Sequence, residues 1–208
     1  MVVATTLVFV VDDDPSVRKS LTRLIASAGY AVETFASAAE FLERAPAVGP
    51  CCLELDVRMP GRSGLDLQKM LAEAVHRIPV VFITAHGDVA MSVTAMKAGA
   101  VDFLTKPFAG EDLLGAIQRA VERDTRDLNT EARSREIEAR VRTLTARERH
   151  VFALVVTGML NKQIAAELGI VEKTVKVHRA RVMDKMRAGS VAELVRLADD
   201  VGLIVTQA

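Results

Sequence analysis

The sequence predicts two domains, a doubly wound α/β domain with a five-stranded parallel sheet and a small all-α domain of four helices. The first comes from residues 7–123, where short apolar runs alternate with helical patterns, as in repeated strand–helix units. The second comes from residues 143–208, where glycines separate four short helical segments. A chain of 208 residues that are 50% hydrophobic is long enough to fill both cores.

The predicted strands and the first helices are delimited by turn and capping residues. Asp14 followed by Pro15 begins the first helix, and Gly29 ends it. Ser37 with Glu40 has the spacing of a capping box at the start of the second helix. The apolar runs that predict the strands cover residues 7–11, 31–35, 51–55, 80–84 and 102–105. In a sheet of this kind, ligands bind outside the carboxyl ends of the strands.

Residues 124–142 predict an exposed helical linker between the two domains. This stretch has ten charged residues among nineteen, and it contains neither glycine nor proline. The predicted boundaries are therefore 1–123 for the first domain, 124–142 for the linker and 143–208 for the second domain. Capping residues place the helix starts of the second domain at Thr145 with Glu148, at Asn161, near Val171 and at Ser190 with Glu193.

The composition excludes several classes of protein. The net charge of zero excludes a polybasic nucleic-acid coat, although residues 1–123 carry 12 cations and 15 anions while residues 143–208 carry 10 and 7. The only cysteines, Cys51 and Cys52, are adjacent and provide neither a disulfide framework nor a zinc site. The apolar stretches fall short of the roughly 18 to 20 residues that span a bilayer, and the N-terminus lacks the basic region of a signal peptide. We therefore expect a cytoplasmic protein without membrane insertion.

Charged side chains follow several strands of the predicted sheet. Asp12 and Asp13 come directly after the first strand, and Asp56 closes the third. Carboxylates that converge at one edge repel one another unless a hard cation neutralises them, and Mg²⁺ binds to such groups together with waters and phosphate. Thr84 and Lys106 follow the fourth and fifth strands and offer a hydroxyl and an ammonium to phosphate oxygens. The pattern indicates phosphoryl chemistry, with Asp56 as the nucleophile.

Four stretches of the sequence resemble two-component response regulators of the NarL/FixJ family. They are VFVVDDDPSVRKSL, LDVRMPGRSGLDL, VVFITAHGDVAMSVTAMKAGAVDFLTKPF and LTARERHVFALVVTGMLNKQIAAELGIVEKTVKVHR, and the match covers nearly the whole chain. The resemblance implies a flavodoxin-like receiver domain followed by a LuxR-type helix-turn-helix domain. It also implies that a sensor histidine kinase donates a phosphoryl group to the receiver, with Mg²⁺ as the cofactor.

The same resemblance assigns roles to residues of the acidic pocket. Asp56 is expected to be the phosphoacceptor, and Lys106 is expected to contact the acyl phosphate after a cis peptide bond to Pro107. The expected ligands of Mg²⁺ are Asp12, Asp13, Asp56 and the backbone carbonyl of Arg58.

The resemblance also implies a switch that reads the phosphorylation state. Thr84 is expected to move towards the phosphate and Phe103 to turn inward, while His86 and the Arg58 side chain flank the phosphate. Glu54 departs from the family pattern, because relatives usually carry an apolar residue at this position of the central strand. A buried carboxylate is costly unless it is paired or protonated, so we expect a raised pKa or a nearby cation.

The segment 171–187 predicts the recognition helix of the helix-turn-helix, with residues 161–168 as the first helix. It contains six cations against two anions, a pattern that in many proteins is only a solvated face. Val175, His178, Val182 and Met186 form the stripe that packs inward. Relatives usually carry serine where Val171 stands, so the helix is expected to lack a side-chain cap. The predicted DNA contacts are Asn161, Lys162, Lys173, Thr174, Lys176, Val177, Arg179, Ala180 and Arg181.

These observations predict a transcription factor controlled by phosphorylation. The resemblance implies that phosphorylated Asp56 promotes a homodimer, which binds paired half-sites in double-stranded promoter DNA. One alternative is a constitutive DNA-binding regulator whose receiver serves only as a dimerisation module. A second is a phosphohydrolase of the haloacid-dehalogenase type with an Asp nucleophile, but such enzymes carry another Asp two residues later, where this chain has Arg58.

Overall fold

Residues 6–73, 77–85 and 88–203 are described by the computed structural model, which divides the chain into two units, Met1–Leu128 and Asn129–Ala208. The first unit contains one parallel sheet with the strand order β2-β1-β3-β4-β5. Its strands are β1 (Leu7–Val11), β2 (Ala31–Phe35), β3 (Cys51–Asp56), β4 (Val80–Thr84) and β5 (Asp102–Thr105). The predicted strands and the doubly wound fold are confirmed, and β3 is one residue longer than predicted.

Among the described residues of the first unit, five helices cover the sheet on both faces, the last of them with its N-terminal part only. They are α1 (Pro15–Ser27), α2 (Ala38–Glu43), α3 (Gly64–Ala72), α4 (Val89–Lys97) and α5 (Gly110–Arg142). Alternate residues of each strand face opposite sides, so two separate cores form. On one side, Phe9 and Leu53 of the sheet pack with residues of α2, α3 and α4. On the other side, Val10 and Cys52 pack with residues of α1 and α5.

The predicted helix starts in the first unit are confirmed. The Asp14 carboxylate accepts the N–H of Ser16 at 2.7 Å, and the Ser37 hydroxyl accepts the N–H of Glu40 at 3.2 Å. The Glu40 carboxylate reaches the N–H of Ala36, one residue before the cap, rather than that of Ser37. These caps fix the directions in which the chain leaves β1 and β2 at the carboxyl edge of the sheet.

The second unit is a helical bundle around an apolar core. It consists of the last part of α5 with α6 (Ala146–Val156), α7 (Asn161–Leu168), α8 (Glu172–Met186) and α9 (Val191–Asp200). The core residues include Val151, Phe152, Ile164, Val182 and Leu194. Thr145 and Glu148 form the predicted capping box at the start of α6. In addition, Glu148 is 2% exposed and accepts a hydrogen bond of 2.6 Å from Lys185 of α8.

The segment 124–142 is helical throughout and lies within α5. Asp124 is fully buried in the first unit, where its carboxylate accepts the backbone N–H of Cys51 at 2.8 Å. Ile137 is 2% exposed and packs into the core of the second unit. The segment 124–142 is therefore helical as predicted, but it is not exposed throughout. Asp124 is buried in the first unit and Ile137 in the second.

The ion pair between Glu148 and Lys185 makes the stability of the second unit sensitive to acid. The hydrogen bond from Lys185, followed by the N–H of Thr145, lowers the pKa of Glu148 from 4.5 to about 2. Because the pKa of Glu148 is lower in the folded state, the ion pair contributes its full stabilisation above about pH 4.5. This stabilisation is lost as the pH falls towards 2.

We expect Lys185→Met to destabilise the second unit by about 2 to 3 kcal/mol, because it leaves a buried carboxylate without its cation and with only the N–H of Thr145, while Lys185 itself is partly exposed. Calorimetry of the full chain between pH 3 and 7 measures this. The control Arg142→Met removes one half of an exposed pair with Glu138 and should change the stability by less than about 0.5 kcal/mol. Equal effects of the two substitutions would contradict the prediction.

Candidate functional sites

Three charged side chains meet at the carboxyl edge of the sheet. Asp12 directly follows β1, Asp56 is the last residue of β3, and Lys106 follows β5. The Nζ of Lys106 lies 3.0 Å from Oδ2 of Asp12 and 3.7 Å from Oδ1 of Asp56. The carboxylates are buried, with Asp12 2% and Asp56 7% exposed. The structure thus brings together three of the residues that the sequence predicted for the pocket.

Each group of this acid–lysine cluster is also held by the backbone. Oδ1 of Asp12 accepts the N–H of Asp14 at 2.9 Å, and Oδ2 of Asp56 accepts the N–H of Arg58 at 2.7 Å. The Lys106–Pro107 bond is cis, as expected, and the N–H of Lys106 donates to the carbonyl of Thr84 at 2.8 Å. Since Oδ2 of Asp56 is engaged by the backbone, Oδ1 is the oxygen that faces Lys106.

Burial and mutual charge shift the pKa values in the cluster. Burial raises the pKa of Asp56, the Arg58 N–H opposes this, and the charge of Asp12 raises it further. Burial lowers the pKa of Lys106, but the hydrogen bond and charge of Asp12 and the charge of Asp56 outweigh burial, so the net shift is upward. The ammonium therefore remains charged and partly neutralises the two acids.

The other predicted pocket residues differ in exposure. Asp13 has an exposed side chain, and Thr84 is 1% exposed at the end of β4. Phe103 is half-buried, with its ring 6.0 Å from the ring of Phe82. His86 lies outside the described residues.

Arg18 is a pocket residue that the sequence reasoning missed. Its Nη1 donates to the carbonyl oxygens of Asp12 at 2.6 Å and Asp13 at 3.0 Å, so it fixes the loop that carries both acids. Its position in the first turn of α1 could have indicated this role, because that turn directly follows the end of β1.

The donor set of the pocket fits a magnesium ion. Among the residues in the described ranges, no three Asp, Glu, His or Cys side chains are grouped closely enough to hold a metal by themselves. Mg²⁺ does not need such a group, because it binds to one or two carboxylates and completes its shell with carbonyls, waters and phosphate. Asp12 and Asp56 provide two carboxylates of this kind, and the charge of Asp13 also acts on Asp56. Two buried carboxylates that repel each other also favour a cation on electrostatic grounds.

Glu54 lies beneath the cluster on the same face of β3. It is fully buried, it pairs in register with Val10 and Val81, and within the described part of the chain neither of its carboxylate oxygens has a hydrogen-bond partner. Burial and then the charge of Asp12 raise its pKa well above 4.5, while Lys106 opposes the shift. The upward direction of this shift agrees with the expectation for a buried carboxylate without a partner.

We expect Glu54→Met to stabilise the first unit, because it replaces an unpaired buried carboxyl by a side chain of similar size. The pKa of Glu54 is higher in the folded state than in the unfolded chain, so this carboxyl lowers the stability of the fold above about pH 4.5. The stability gained by Glu54→Met should therefore grow as the pH rises from about 4.5 and reach about 1 to 3 kcal/mol near neutrality. Thermal unfolding at pH 5 and pH 8 measures it. The matched control Glu33→Met changes an exposed residue of β2, and an equal gain there would contradict the account.

The second candidate site is the helix-turn-helix formed by α7 and α8. Gly169 ends α7 with φ of 63°, a left-handed conformation that favours glycine and turns the chain into α8. Val175, Val182 and Met186 of α8 are fully buried, as predicted, and His178 is half-buried. The opposite face exposes Lys173, Lys176, Val177, Ala180 and Arg181. This basic face has the composition that DNA phosphates and thymine methyl groups require.

The other four predicted DNA contacts differ in exposure. Thr174, Arg179 and Asn161 are half-buried, whereas Lys162 is exposed. Arg179 donates to Oδ1 of Asn161 at 2.9 Å, which the sequence reasoning did not foresee. Of the six cations in segment 171–187, Lys185 is held by Glu148 and by the carbonyl of Thr143.

Both helices of the motif begin without a side-chain cap. Val171 precedes α8 and makes no capping hydrogen bond, as expected. Leu160 precedes α7 and also has no acceptor in its side chain, although Oε1 of Gln163 accepts its backbone N–H at 2.7 Å. The predicted start of α7 at Asn161 is confirmed, but the prediction that Asn161 caps this helix is wrong, because Leu160 stands at the cap and Asn161 is the first helical residue.

A doubly wound sheet of this topology and a helix-turn-helix in one chain define the class of transcription-regulating response regulators. Family models agree with this: the response regulator receiver domain matches residues 8–118, and the luxR family of bacterial regulatory proteins matches residues 142–198. The chain belongs to the NarL/FixJ family of two-component response regulators, and the relatives below support this.

Several proteins are similar over almost their whole length. Nodulation protein W of Bradyrhizobium diazoefficiens is 49% identical over 197 residues, which are 95% of this chain and 87% of that protein. The transcriptional regulatory protein FixJ of the same organism is 43% identical over 95% of this chain and 96% of its own. The structure of the response regulator StyR has 48% identity and a TM-score of 0.83, and covers 94% of this chain and 99% of its own.

These findings confirm the predicted family, fold and regulatory function. The relatives regulate transcription and are not enzymes, so the phosphohydrolase alternative is set aside. A chain with these two domains has a sensor kinase and DNA as partners, and the receiver family is known to bind Mg²⁺. Within the described ranges, no helix is long and apolar enough to cross a membrane.

Proposed function

We propose that Asp56 accepts a phosphoryl group from a sensor histidine kinase and thereby controls promoter binding in the cytoplasm. The observation that carries this proposal is the cluster in which Lys106 lies 3.0 Å from Asp12 and 3.7 Å from Oδ1 of Asp56. In this proposal residues 1–123 are the receiver, residues 124–142 the linker and residues 143–208 the DNA-binding domain.

The nucleophile is Oδ1 of Asp56, since Oδ2 is engaged by the N–H of Arg58. Oδ1 forms a bond to phosphorus while the bond between phosphorus and the kinase imidazole nitrogen breaks, and that nitrogen leaves with its electron pair. Bound Mg²⁺ supplies charge neutralisation between the carboxylates and the incoming phosphoryl oxygens. Asp12, Asp13, Asp56 and the Arg58 carbonyl would hold it, and the Lys106 ammonium would bind a phosphoryl oxygen.

Phosphorylation changes the charge balance that the cluster maintains. The acyl phosphate adds about one further negative charge and three acceptor oxygens. In the proposal, the hydroxyl of Thr84 at the end of β4 donates a hydrogen bond to the phosphate. Its movement towards the phosphate would leave space that the half-buried ring of Phe103 fills, with Phe82 as its neighbour. The phosphate state would thus be read at the surface formed by α4 and β5.

An exposed apolar stripe supports a homodimer as the phosphorylated form. Val89, Val93 and Met96 of α4 are spaced at i, i+4 and i+7, and they are 80%, 44% and 45% exposed. Such a stripe on one face of a helix favours burial against a second copy. Two recognition helices would then enter half-sites about one helical turn, roughly 34 Å, apart.

The recognition helix in this proposal is α8. Lys173, Lys176 and Arg181 provide charge to the phosphates, while Val177 and Ala180 contact base edges in the major groove. Thr174, Asn161, Lys162 and Arg179 complete the proposed interface.

We expect Asp56→Asn to abolish phosphorylation by a small phosphodonor such as acetyl phosphate in the presence of Mg²⁺, because the amide is a poor nucleophile. Dimerisation and the gain in promoter affinity should be lost together. Phosphate-affinity electrophoresis, light scattering and footprinting measure the three effects. The control Asp127→Asn removes an exposed carboxylate of the first unit and should behave as the wild type.

Two results would contradict this proposal in different ways. Phosphate uptake and dimerisation by the Asp56→Asn variant would show that another residue is the acceptor. Full promoter affinity of the wild-type chain without phosphate would instead favour the constitutive regulator, with the receiver as a dimerisation module.

A further inference from the structure

Arg179 occupies a position on α8 that differs from those of the exposed cations. It follows Val175 by four residues and precedes Val182 by three, so it lies beside the buried stripe of the helix. Its side chain is half-buried, whereas Lys173, Lys176 and Arg181 are exposed. Arg179 therefore faces α7 rather than the centre of the surface that enters the groove.

The partner of Arg179 is a neutral amide. Its Nη1 donates a hydrogen bond of 2.9 Å to Oδ1 of Asn161, the first residue of α7. The other half-buried cation of this helix, Lys185, donates to the buried carboxylate of Glu148 and is neutralised there. The bond from Arg179 leaves donor capacity on its partner, because an amide that accepts through oxygen still has two N–H groups.

The bond fixes the orientation of the Asn161 side chain. With Oδ1 held by the guanidinium, Nδ2 lies on the other branch of the planar amide, and among the described residues it donates to no acceptor. A positive charge on the carbonyl side of an amide also polarises its N–H groups and makes them stronger donors. The first helix of a helix-turn-helix crosses the DNA backbone, where the available acceptors are phosphate oxygens.

We propose that Arg179 is a positioning residue, which acts on DNA through Asn161 by directing the Nδ2 donors of this amide to a backbone phosphate. This inference rests on the proposed DNA-binding function and assigns a mechanism to one part of that interface. A phosphate contact is independent of base sequence, so it contributes equally to any duplex.

A double-mutant cycle tests the proposal in the full-length chain, phosphorylated with acetyl phosphate and Mg²⁺. The probe is a fluorescein-labelled duplex of mixed sequence, about 30 base pairs long, and binding is followed by anisotropy at several salt concentrations. Arg179→Met and Asn161→Ala should each weaken binding about fivefold, the loss of one hydrogen bond to a charged acceptor at a partly hydrated site. The double variant should lose no more than either single variant, because both remove the same contact.

The salt dependence distinguishes positioning from direct contact. If Arg179 acts through the neutral amide, Arg179→Met should leave the slope of log K against log salt nearly unchanged. If the guanidinium instead contacts a phosphate directly, Arg179→Met should reduce the magnitude of this slope by about 0.9. The losses of affinity in Arg179→Met and Asn161→Ala would then multiply in the double variant, and either result would overturn the proposal. Arg179→Lys keeps a donor for Oδ1 and should restore most of the affinity.

Controls separate this inference from folding effects and from the proposed function. Arg196→Met removes an exposed cation of α9 and should change binding less than twofold, and circular dichroism melts verify that each variant is folded. If Arg179→Met weakens binding while Asn161→Ala does not, the positioning role is wrong although DNA binding stands. If the phosphorylated wild-type chain does not bind to the duplex, the proposed DNA-binding function fails as well. If it binds and Lys176→Ala has no effect, the assignment of α8 as the recognition helix fails instead.

Discussion

The first unit depends on the way three charged groups share one buried edge of a parallel sheet. The register pairs Val11 with Leu55, so Asp12 and Asp56 emerge next to each other, and the chain after β5 brings Lys106 to within 3.0 Å of Asp12. Two carboxylates that are less than one-tenth exposed repel each other and lose hydration. The ammonium and the backbone N–H groups compensate for this only in part, so a cation bound at this edge would lower the remaining repulsion.

The surrounding loops serve to hold this arrangement. A Cβ at Gly64 would lie 2.2 Å from the carbonyl oxygen of Asp56, so only glycine lets α3 begin so close to the phosphoacceptor candidate. Arg18 binds to the carbonyls of Asp12 and Asp13, and it fixes the opposite loop. Glu54 adds a third carboxyl to the same face, two residues from Asp56, and its burial makes the first unit less stable than an apolar residue would.

Much of this could be predicted from the sequence because the signals are local. Apolar runs indicate the strands, and capping pairs such as Thr145 with Glu148 indicate the helix starts. The strand order of a doubly wound sheet then brings Asp12 and Asp56 to one edge. The departures at Glu54 and Val171 were also visible, because the family resemblance implies an apolar residue at the first position and a serine cap at the second.

The features that escaped prediction depend on distant partners. Asp124 and Ile137 look like members of a charged exposed helix, and only the docking of α5 shows that both are buried. The bond between Arg179 and Asn161 joins residues 18 positions apart whose types both suit DNA contacts. The sequence predicted Arg179 as a DNA contact and counted Lys185 in the basic charge of the helix, whereas the folded chain engages both side chains internally. The role of Asp56 itself stays a proposal that rests on the geometry of the cluster.

The most direct test of the cluster is whether Mg²⁺ stabilises the first unit through these carboxylates. Thermal unfolding of the full chain should shift upward with millimolar Mg²⁺, by an amount that grows with the logarithm of its concentration above the dissociation constant. The shift should disappear in Asp13→Asn and Asp56→Asn and persist in the exposed control Asp127→Asn. No shift in the wild type, or the same shift in all four proteins, would contradict the assignment of this edge of the sheet as a cation-dependent phosphorylation site.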